Sequence, residues 1–265
     1  MRRFTADYLE HTRRGMWEET AALAPLSLGD RERVLDVGCG TGELTRVLAS
    51  ETTGEVIGAD ADQDLLGVAR DQTGLPMVGA DATRLPFQDD SFDLVVCQAL
   101  LINLPDPGAA LSEFARVSSD LVAAVEPNNA AVEVDSTVDA EPSLEQRARE
   151  AYLSGVGTDV ALGDRVERLF ETAGLSVLTD AVYRHEKLVE PPYSEPALED
   201  AARKANGAGL ADHETEIRNA VGMGYDDLRA EWRAMGREVV DAMAEERYRR
   251  REVVPFEVTV GRVSE

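Results

Sequence analysis

The sequence predicts an α/β fold, in which a mostly parallel seven-stranded sheet carries helices on both faces and a helical cap is inserted between the last two strands. Three observations predict this fold. Short apolar segments alternate with amphipathic segments between residues 33 and 125, which is the pattern of consecutive βαβ units. A glycine-rich turn follows the first apolar segment. Polar side chains stand where the next strands end, and open parallel sheets bind their ligands at that edge.

The elements follow from their patterns in order along the chain. Short runs rich in Val, Ile, Leu and Phe predict strands, and these cover residues 33–37, 55–59, 75–80, 92–97, 121–125, 175–183 and 253–260. Apolar residues three and four positions apart predict helices, and these cover residues 5–23, 43–50, 62–71, 107–117, 143–153 and 164–173, with two or three more between 195 and 250. Because the last group stands between the sixth and seventh strands, we expect it to form a cap.

The chain is strongly acidic, with 51 Asp and Glu residues against 27 Lys and Arg, and a formal net charge of −24. A polyanion repels phosphate backbones, so nucleic acid is disfavoured as a partner. Lysine occurs only at Lys187 and Lys204, and the other basic residues are arginine. This composition resembles that of proteins from salt-loving archaea, in which concentrated salt screens the self-repulsion of the surface.

Cysteine content and hydropathy indicate the compartment. Cys39 and Cys97 are the two cysteines of the chain, which excludes a disulfide framework and fits a reducing environment. We expect both to be small buried residues near strand ends. No apolar run approaches the length of a membrane span, and the residues after Met1 turn polar at once, unlike a signal peptide. The sequence therefore predicts a cytoplasmic protein.

The glycine-rich turn is the most informative segment. Residues 34–42 read Val-Leu-Asp-Val-Gly-Cys-Gly-Thr-Gly, which takes an apolar strand into the predicted helix at 43–50. Glycine permits a positive φ and lets the backbone approach a ligand without a Cβ in the way. The N–H groups and dipole of the following helix favour a carboxylate or a phosphate. These features predict a binding loop for a small anionic or zwitterionic ligand.

Three alternatives compete for this loop. A nucleoside triphosphate loop requires a Gly-Lys pair, which the chain lacks. A dinucleotide loop requires a third glycine where Glu43 stands, and its carboxylate would repel a pyrophosphate. A plain strand-to-helix turn does not require three glycines in five residues. An NAD-dependent oxidoreductase therefore stays open only as a rival.

The segment Asp36-Val37-Gly38-Cys39-Gly40-Thr41-Gly42 resembles the first motif of the class I S-adenosylmethionine (SAM)-dependent methyltransferases. The resemblance extends through ordered motifs over residues 33–126 and is similar to the group that includes the quinone-biosynthesis methyltransferases. It implies a Rossmann-like sheet, SAM as the cofactor and S-adenosylhomocysteine as the product.

The resemblance also implies roles for individual residues. It assigns the ribose hydroxyls to Asp60, the adenine amino group to Asp81 and the adenine ring to the backbone N–H of Ala82 and the side chain of Leu65. A helix cap at Asp60 and a plain turn at Asp81 stay open as alternatives. The full set of implied cofactor-binding residues is Asp36, Gly38, Cys39, Gly40, Asp60, Ala61, Leu65, Asp81, Ala82 and Gln98.

The sequence assigns no catalytic residue. Methyl transfer from a sulfonium is an in-line displacement that needs a base only when the nucleophile must lose a proton. Ile102 and Asn103 stand where family members often carry histidine, and Glu126 is expected either to touch the substrate or to hold a loop. The candidates for a base are Tyr8, His11, Glu126 and His185. The three histidines are scattered without metal-ligand spacing, so no metal is expected.

The predicted organisation has three parts. By the resemblance, residues 1–30 form a helix over the cofactor site, in which Arg13 or Arg14 is a candidate ligand for the methionine carboxylate. A helix that packs on the sheet with its charges exposed stays open as the alternative. Residues 31–184 and 252–265 form the SAM-binding domain, and residues 185–251 form the cap. The predicted cap could enclose a pocket, which favours a small-molecule acceptor. No membrane partner is expected. A SAM-binding protein without catalysis is the second rival, and the oligomeric state is open.

Overall fold

The computed structural model describes residues 5, 6, 9, 16, 17, 20–163 and 165–264. Most of the predicted helix at 5–23 lies outside these residues, as do the candidates Tyr8, His11, Arg13 and Arg14. The described residues form two compact units along the chain. The first unit falls within 1–127, 162–183 and 256–265, and the second covers 128–161 and 184–255.

The sheet of the first unit is built on five parallel strands. They are β1 (Arg33–Val37), β2 (Glu55–Asp60), β3 (Met77–Gly79), β4 (Phe92–Gln98) and β5 (Ser118–Pro127). Their order in the sheet is β3-β2-β1-β4-β5, so the winding direction reverses between β1 and β4. Such a reversal opens a crevice beyond the carboxyl ends of the strands, which is where ligands bind.

Helices α1 (Glu43–Glu51), α2 (Gln63–Thr73) and α3 (Pro107–Val117) connect these strands. Asp62 caps α2 by accepting hydrogen bonds from the N–H groups of Asp64 and Leu65, and Asp106 caps α3 in the same way. The middle segments of β4 and β5, residues 94–97 and 121–125, are apolar and buried, because helices cover both faces of a parallel sheet. The core of this unit centres on Leu35, Val95, Phe114, Val122 and Phe170.

The second unit is mainly helical and has its own core. It contains β6 (Glu133–Ser136), α4 (Ala140–Gly155), α6 (Glu195–Asn206), α7 (Ala208–Ala211), α8 (Glu214–Val221) and α9 (Gly224–Ala244). Its core includes Ile217, Tyr225, Trp232, Met235 and Val239. Tyr225, Trp232 and Val239 recur on one face of α9, which is the spacing expected of a core-facing helix stripe.

The remaining elements are α5 (Arg165–Thr172) in the first unit and two long strands that contribute to both units. The strand β7 (Leu175–Val189) begins in the first unit and ends in the second, and β8 (Arg250–Val263) does the reverse. The strand β8 pairs antiparallel with β5 through its second half and with β6 through its first half, and it also pairs with β7.

The structure confirms the α/β class and the mostly parallel sheet, but the predicted count of seven strands is wrong. The sheet has eight strands among the described residues. The additional strand is β6, whose sequence Glu-Val-Asp-Ser contains a single apolar residue. It was not predicted because strand patterns rest on apolar alternation, whereas β6 is recruited by pairing with β8. The region 195–250 also holds four helices rather than two or three.

None of the helices in the described part of the chain is both long enough and apolar enough to span a membrane.

Candidate cofactor-binding site

The parallel strands of the first unit end at the same level. The register pairs at this edge are Val37 with Ala59, Val37 with Cys97, Asp60 with Gly79, and Gln98 with Val125. The glycine turn at 38–42, Asp60, Gln98 and Glu126 therefore come to one edge of the sheet, as the sequence predicts. The exposed Asp81 follows β3 by two residues and forms a bridge with Arg84.

The glycine turn has the backbone that its sequence requires. Gly38, Gly40 and Gly42 have φ values of +74°, +56° and +82°, which side chains with a Cβ rarely adopt. The N–H groups of Gly38 and Cys39 both donate to the carbonyl oxygen of Ala59, at 2.7 and 3.1 Å. The turn is thus anchored to β2 and then enters α1, whose N-terminus carries the positive end of the helix dipole and favours a carboxylate.

The buried side chains of Asp36 and Cys39 fix this turn through contacts with neighbouring elements. Asp36 is 1% exposed, and its Oδ2 accepts a hydrogen bond from the hydroxyl of Thr45 at 2.6 Å, which ties β1 to α1. The Sγ of Cys39 lies 3.9 Å from the Sδ of Met77 in a small apolar cluster. Cys39 is therefore able to face the site only through its backbone. Thr45 carries no motif that would have marked it from the sequence.

Asp60 is held from both sides by backbone N–H groups. Its Oδ2 accepts from Gly40 at 2.9 Å, and its Oδ1 accepts from Asp62 at 2.9 Å. The helix-cap role considered for Asp60 belongs to Asp62 instead. A carboxylate oxygen has two lone pairs, so each oxygen of Asp60 keeps acceptor capacity for a ligand hydroxyl.

Asp81, Ala82 and Leu65 lie on the segments that follow β3 and β2. One oxygen of Asp81 accepts from both the N–H and the hydroxyl of Thr83, each at 2.8 Å, and these bonds lower the pKa of Asp81. This is the turn that the sequence left open as an alternative. Ala82 and Leu65 are buried, whereas Ala61 is exposed.

Gln98 is engaged by the described part of the N-terminal segment. It is 3% exposed, its Oε1 accepts from the indole Nε1 of Trp17 at 3.3 Å, and its Nε2 donates to the Sδ of Met16 at 2.7 Å. The hydroxyl of Tyr183 in turn donates to the carbonyl oxygen of Met16 at 3.3 Å. The side chain of Gln98 thus already has protein partners at both amide atoms.

Glu126 is fully buried and binds the segment that follows β4. Its Oε1 accepts from the N–H groups of Leu100 and Leu101, each at 2.9 Å, and its Oε2 accepts from that of Ile102 at 3.3 Å. Burial raises its pKa to about 7, against the opposing effect of these three bonds. Of the two roles that the sequence left open for Glu126, holding a loop is the one that its contacts show.

Cys97 and His185 are two further buried side chains with reactive groups. Desolvation, and then the nearby Glu126 and Asp36, raise the pKa of the Cys97 thiol, so the reactive thiolate is suppressed. His185 is buried and belongs to the second unit. The described residues contain no group of three or more His, Cys, Asp or Glu side chains placed to hold a metal ion.

Comparison with known sequences identifies the region that carries this site. The sequence family described as "Methyltransferase domain" matches residues 35–120. The demethylmenaquinone methyltransferase of Lactiplantibacillus plantarum is 39% identical over 104 residues, which cover 36% of this chain and 44% of that protein. Residues 35–120 thus match a methyltransferase domain. SAM is therefore the cofactor that this methyltransferase domain implies.

Two further relatives define the extent of the similarity. The demethylmenaquinone methyltransferase of Staphylococcus aureus is 42% identical over 91 residues, or 32% of this chain and 38% of that protein. The chain thus spans less than half the length of these curated relatives. A putative methyltransferase from Bacillus halodurans has the same fold, with a TM-score of 0.56 and 18% identity over 94% of this chain and 100% of that one.

The residues present in the methyltransferase domain fit the adenosyl sulfonium that the family implies. The turn at 38–42 presents a backbone surface without side chains at three positions, and a Cβ on Gly38 would meet Leu100 at 2.8 Å. Asp60 has spare acceptor capacity beside this turn. The contacts that the sequence did not predict are those of Thr45, Trp17 and Leu100, which depend on packing between distant parts of the chain.

Proposed function

We propose that the whole protein transfers a methyl group from SAM to a small-molecule acceptor. The observation that carries this proposal is the bond between the glycine turn and Asp60, which joins the ends of β1 and β2 next to the reversal point of the sheet. It places a carboxylate with spare lone pairs directly beside a bare backbone surface. That combination suits a nucleoside with two ribose hydroxyls and a charged amino-acid tail.

Four of the predicted residues contact the nucleoside in this proposal. Asp60 accepts hydrogen bonds from the ribose hydroxyls, and Asp81 accepts one from the adenine amino group. The backbone N–H of Ala82 and the side chain of Leu65 contact the adenine ring. The N-terminus of α1 and the turn at 38–42 receive the methionine end of the cofactor.

The chemistry requires alignment more than proton transfer. Bound SAM supplies an electrophilic methyl group on a sulfonium that is already activated. The protein has to orient the acceptor in line with the breaking bond and exclude water, which is an effect that contributes about 7–11 kcal/mol in well-oriented reactions. No general base is assigned, because Glu126 is occupied by backbone N–H groups.

A small molecule fits the acceptor side better than a nucleic acid does. A net charge of −24 repels a phosphate backbone. The names of the relatives specify demethylmenaquinone, but they match at most 36% of this chain, so we leave the identity of the acceptor to experiment. The cap expected at residues 185–251 stays a prediction, and the protein is proposed as cytoplasmic.

Calorimetry with SAM, S-adenosylhomocysteine and NAD tests the cofactor. We expect the wild type to bind the first two and not NAD. Asp60→Ala should weaken binding by about 1–3 kcal/mol, because the ribose hydroxyls lose their acceptor. Asp64→Ala removes the same charge from an exposed position on α2 and should leave the affinity unchanged. Binding of NAD alone would overturn the proposal.

Methyl transfer is tested separately with SAM that carries a labelled methyl group. The label should enter the small-molecule fraction of a cell extract rather than its protein or RNA fractions. Tight SAM binding without transfer to any fraction would favour a SAM-binding protein without catalysis.

A further inference from the structure

The segment at 99–103, directly after β4, has an unusual backbone arrangement. Ala99 has a φ of +48°, and Leu101–Asn103 form a single 3₁₀ turn. The N–H of Ala99 donates to the carbonyl oxygen of Val125, and the amide of Asn103 donates back to the carbonyl oxygen of Ala99, at 3.0 and 2.8 Å. The next three N–H groups along the chain all point at one carboxylate.

That carboxylate is Glu126, and its burial makes the contact strong. N–H groups that converge on one anion form a concave binding surface, and hydrogen bonds to charged groups are stronger than neutral ones. Removing a carboxylate from water costs several kcal/mol unless such bonds replace the lost hydration. The three N–H groups of Leu100, Leu101 and Ile102 supply that replacement. The conformation of 99–103 is therefore tied to the state of one side chain on β5.

The same segment lies against the glycine turn. The side chain of Leu100 is so close to Gly38 that an added Cβ would meet its Cδ1, Cδ2 and Cγ at 2.8, 3.0 and 3.1 Å. A shift of Leu100 would therefore change the space above the first glycine of the turn. A continuous path leads from Glu126, through the N–H and side chain of Leu100, to the backbone that receives the cofactor.

We infer that Glu126 is a positioning residue, which sets segment 99–103 against the glycine turn and thereby controls the affinity of the site for its cofactor. This inference rests on the proposed function. Glu126 does not contact the reacting atoms; it acts through the backbone of Leu100, Leu101 and Ile102.

The protonation of Glu126 gives this arrangement two states. The bond from Ile102 to Oε2 is the longest of the three, so a proton on Oε2 removes that bond and leaves the two on Oε1. The titratable groups beside Glu126 are Cys97 on β4, whose Sγ lies 3.8 Å from Oε1, and Glu257, its register partner on β8. Asp36 on β1 is close enough to act on Cys97. The hydrogen bond from Cys97 and the three from the backbone favour the ionised state, but burial outweighs them and raises the pKa of Glu126 to about 7. The third bond therefore forms as the pH rises through neutrality.

Nuclear magnetic resonance of the free protein tests the first half of this path. We expect the backbone amide signals of Leu100, Leu101 and Ile102 to titrate together with a midpoint of about pH 7, with the largest shift at Ile102. The Glu126→Gln variant should abolish the titration. Asp93→Asn is the matched control, because Asp93 also binds two backbone N–H groups, those of Glu32 and Arg33, at the opposite edge of the sheet. Absence of a titration in the wild type would overturn the inference.

Calorimetry with S-adenosylhomocysteine tests the second half. The wild-type affinity should increase between pH 6 and pH 8, whereas Glu126→Gln should bind about tenfold more weakly at pH 8 and show a flat profile. Asp93→Asn should keep the wild-type profile even where its stability falls. Leu100→Ala should keep the titration of the amide signals but lose the pH dependence of binding. It keeps the backbone N–H that binds Glu126 but removes the side chain that contacts Gly38.

The two measurements separate the possible failures. A wild type that does not bind S-adenosylhomocysteine refutes the proposed function, whatever the amide signals show. A wild type that binds it with an affinity independent of both pH and Glu126 refutes only the positioning role. If Glu126→Gln does not fold, the wild-type titration and Leu100→Ala still decide the question.

Discussion

At the scale of single residues, Asp60 and Gly38 would be arranged for the proposed cofactor before it binds. Asp60 already binds the backbone on both sides, at Gly40 and Asp62, so its carboxylate is fixed in direction. A ligand group that meets a fixed acceptor loses less entropy than one that has to order it. Gly38 has no Cβ, which leaves room for the side chain of Leu100 against the turn.

Gly38→Ala should therefore destabilise the protein and weaken SAM binding. An alanine with a φ of +74° costs about 1–2 kcal/mol, and its Cβ would also displace Leu100. Thermal unfolding measures the first effect and calorimetry the second. Gly67→Ala is the control, since Gly67 lies inside α2 with open space around it and should gain about 0.5–1 kcal/mol. Equal stability of the two variants would contradict this explanation.

The sequence predicted where the site residues lie in the fold, but it did not predict which side chains they contact. Asp60 and Gln98 reach the ligand edge because parallel strands share a register, and strand ends are visible in the apolar pattern. The partner of Gln98 is Trp17, which lies 81 residues away in the chain. A contact of that kind depends on packing between elements, and no local pattern specifies it.

At the scale of elements, a buried ion cluster joins three parts of the second unit. Glu145 on α4 accepts hydrogen bonds from Lys204 on α6 and from Arg250 on β8, each at 2.7 Å. Lys204 also pairs with Glu141, which is fully buried and accepts from the hydroxyl of Tyr248. Buried charges of this kind are tolerated only when each has its counter-charges, so the cluster fixes how these elements pack.

Glu145→Gln should destabilise the protein by about 3 kcal/mol at pH 7, the lower end of the cost of breaking a buried ion pair. Lys204 and Arg250 lose the counter-charge that they share but keep Glu141 and Glu252. The two cations lower the pKa of Glu145 to about 2 in the folded state. A lowered pKa adds stability above the ordinary value of about 4.5, and this stability is lost as the pH falls towards 2. Urea unfolding from pH 7 to pH 3 should show the difference between variant and wild type shrinking in acid.

The control for this prediction is Glu231→Gln. Glu231 pairs with Arg147 at an exposed position, where solvent screens the charges, so the variant should differ little from the wild type at any pH. A loss as large as that of Glu145→Gln would show that net charge, rather than the buried cluster, determines the effect.

The elements also show where sequence patterns stop being informative. Strands β1, β2 and β4 were predicted within one residue of their bounds because each is an apolar run between turn residues. The strand β6 was missed because it has polar residues on both faces. The strand β6 forms because it pairs with the charged start of β8, and β8 lies far from β6 in the sequence.

At the scale of the whole molecule, the net charge is the dominant feature. A charge of −24 on 265 residues gives a sequence pI of about 4.5, and nearly all the cations are arginine. Like charges distributed over one surface repel each other and destabilise the compact state in dilute buffer. Salt shortens the range of this repulsion, whereas the buried cluster around Glu145 is screened far less.

We expect the thermal midpoint to rise steadily as potassium chloride increases from the millimolar to the molar range. Screening should reduce the repulsion at the surface without weakening the buried ion pairs. Differential scanning calorimetry in potassium chloride, and in sucrose of equal osmolality, separates charge screening from solute exclusion. Full stability in dilute buffer, with no gain from salt, would refute the resemblance to proteins of salt-loving archaea.

The pairing of β8 has a consequence for the order in which the chain assembles. The strand β7 joins the sheet by pairing with β8, and helices α6 to α9 lie between the two strands in the chain. Contacts between distant segments form late, because the long intervening loop must be closed first. During synthesis, β7 therefore stays unpaired until β8 has been made. Over this period its exposed Leu178, Val182 and Leu188 can contact other chains. Expression conditions that slow the aggregation of nascent chains should therefore raise the yield of this protein more than that of a protein whose strands pair in the order in which they are synthesised.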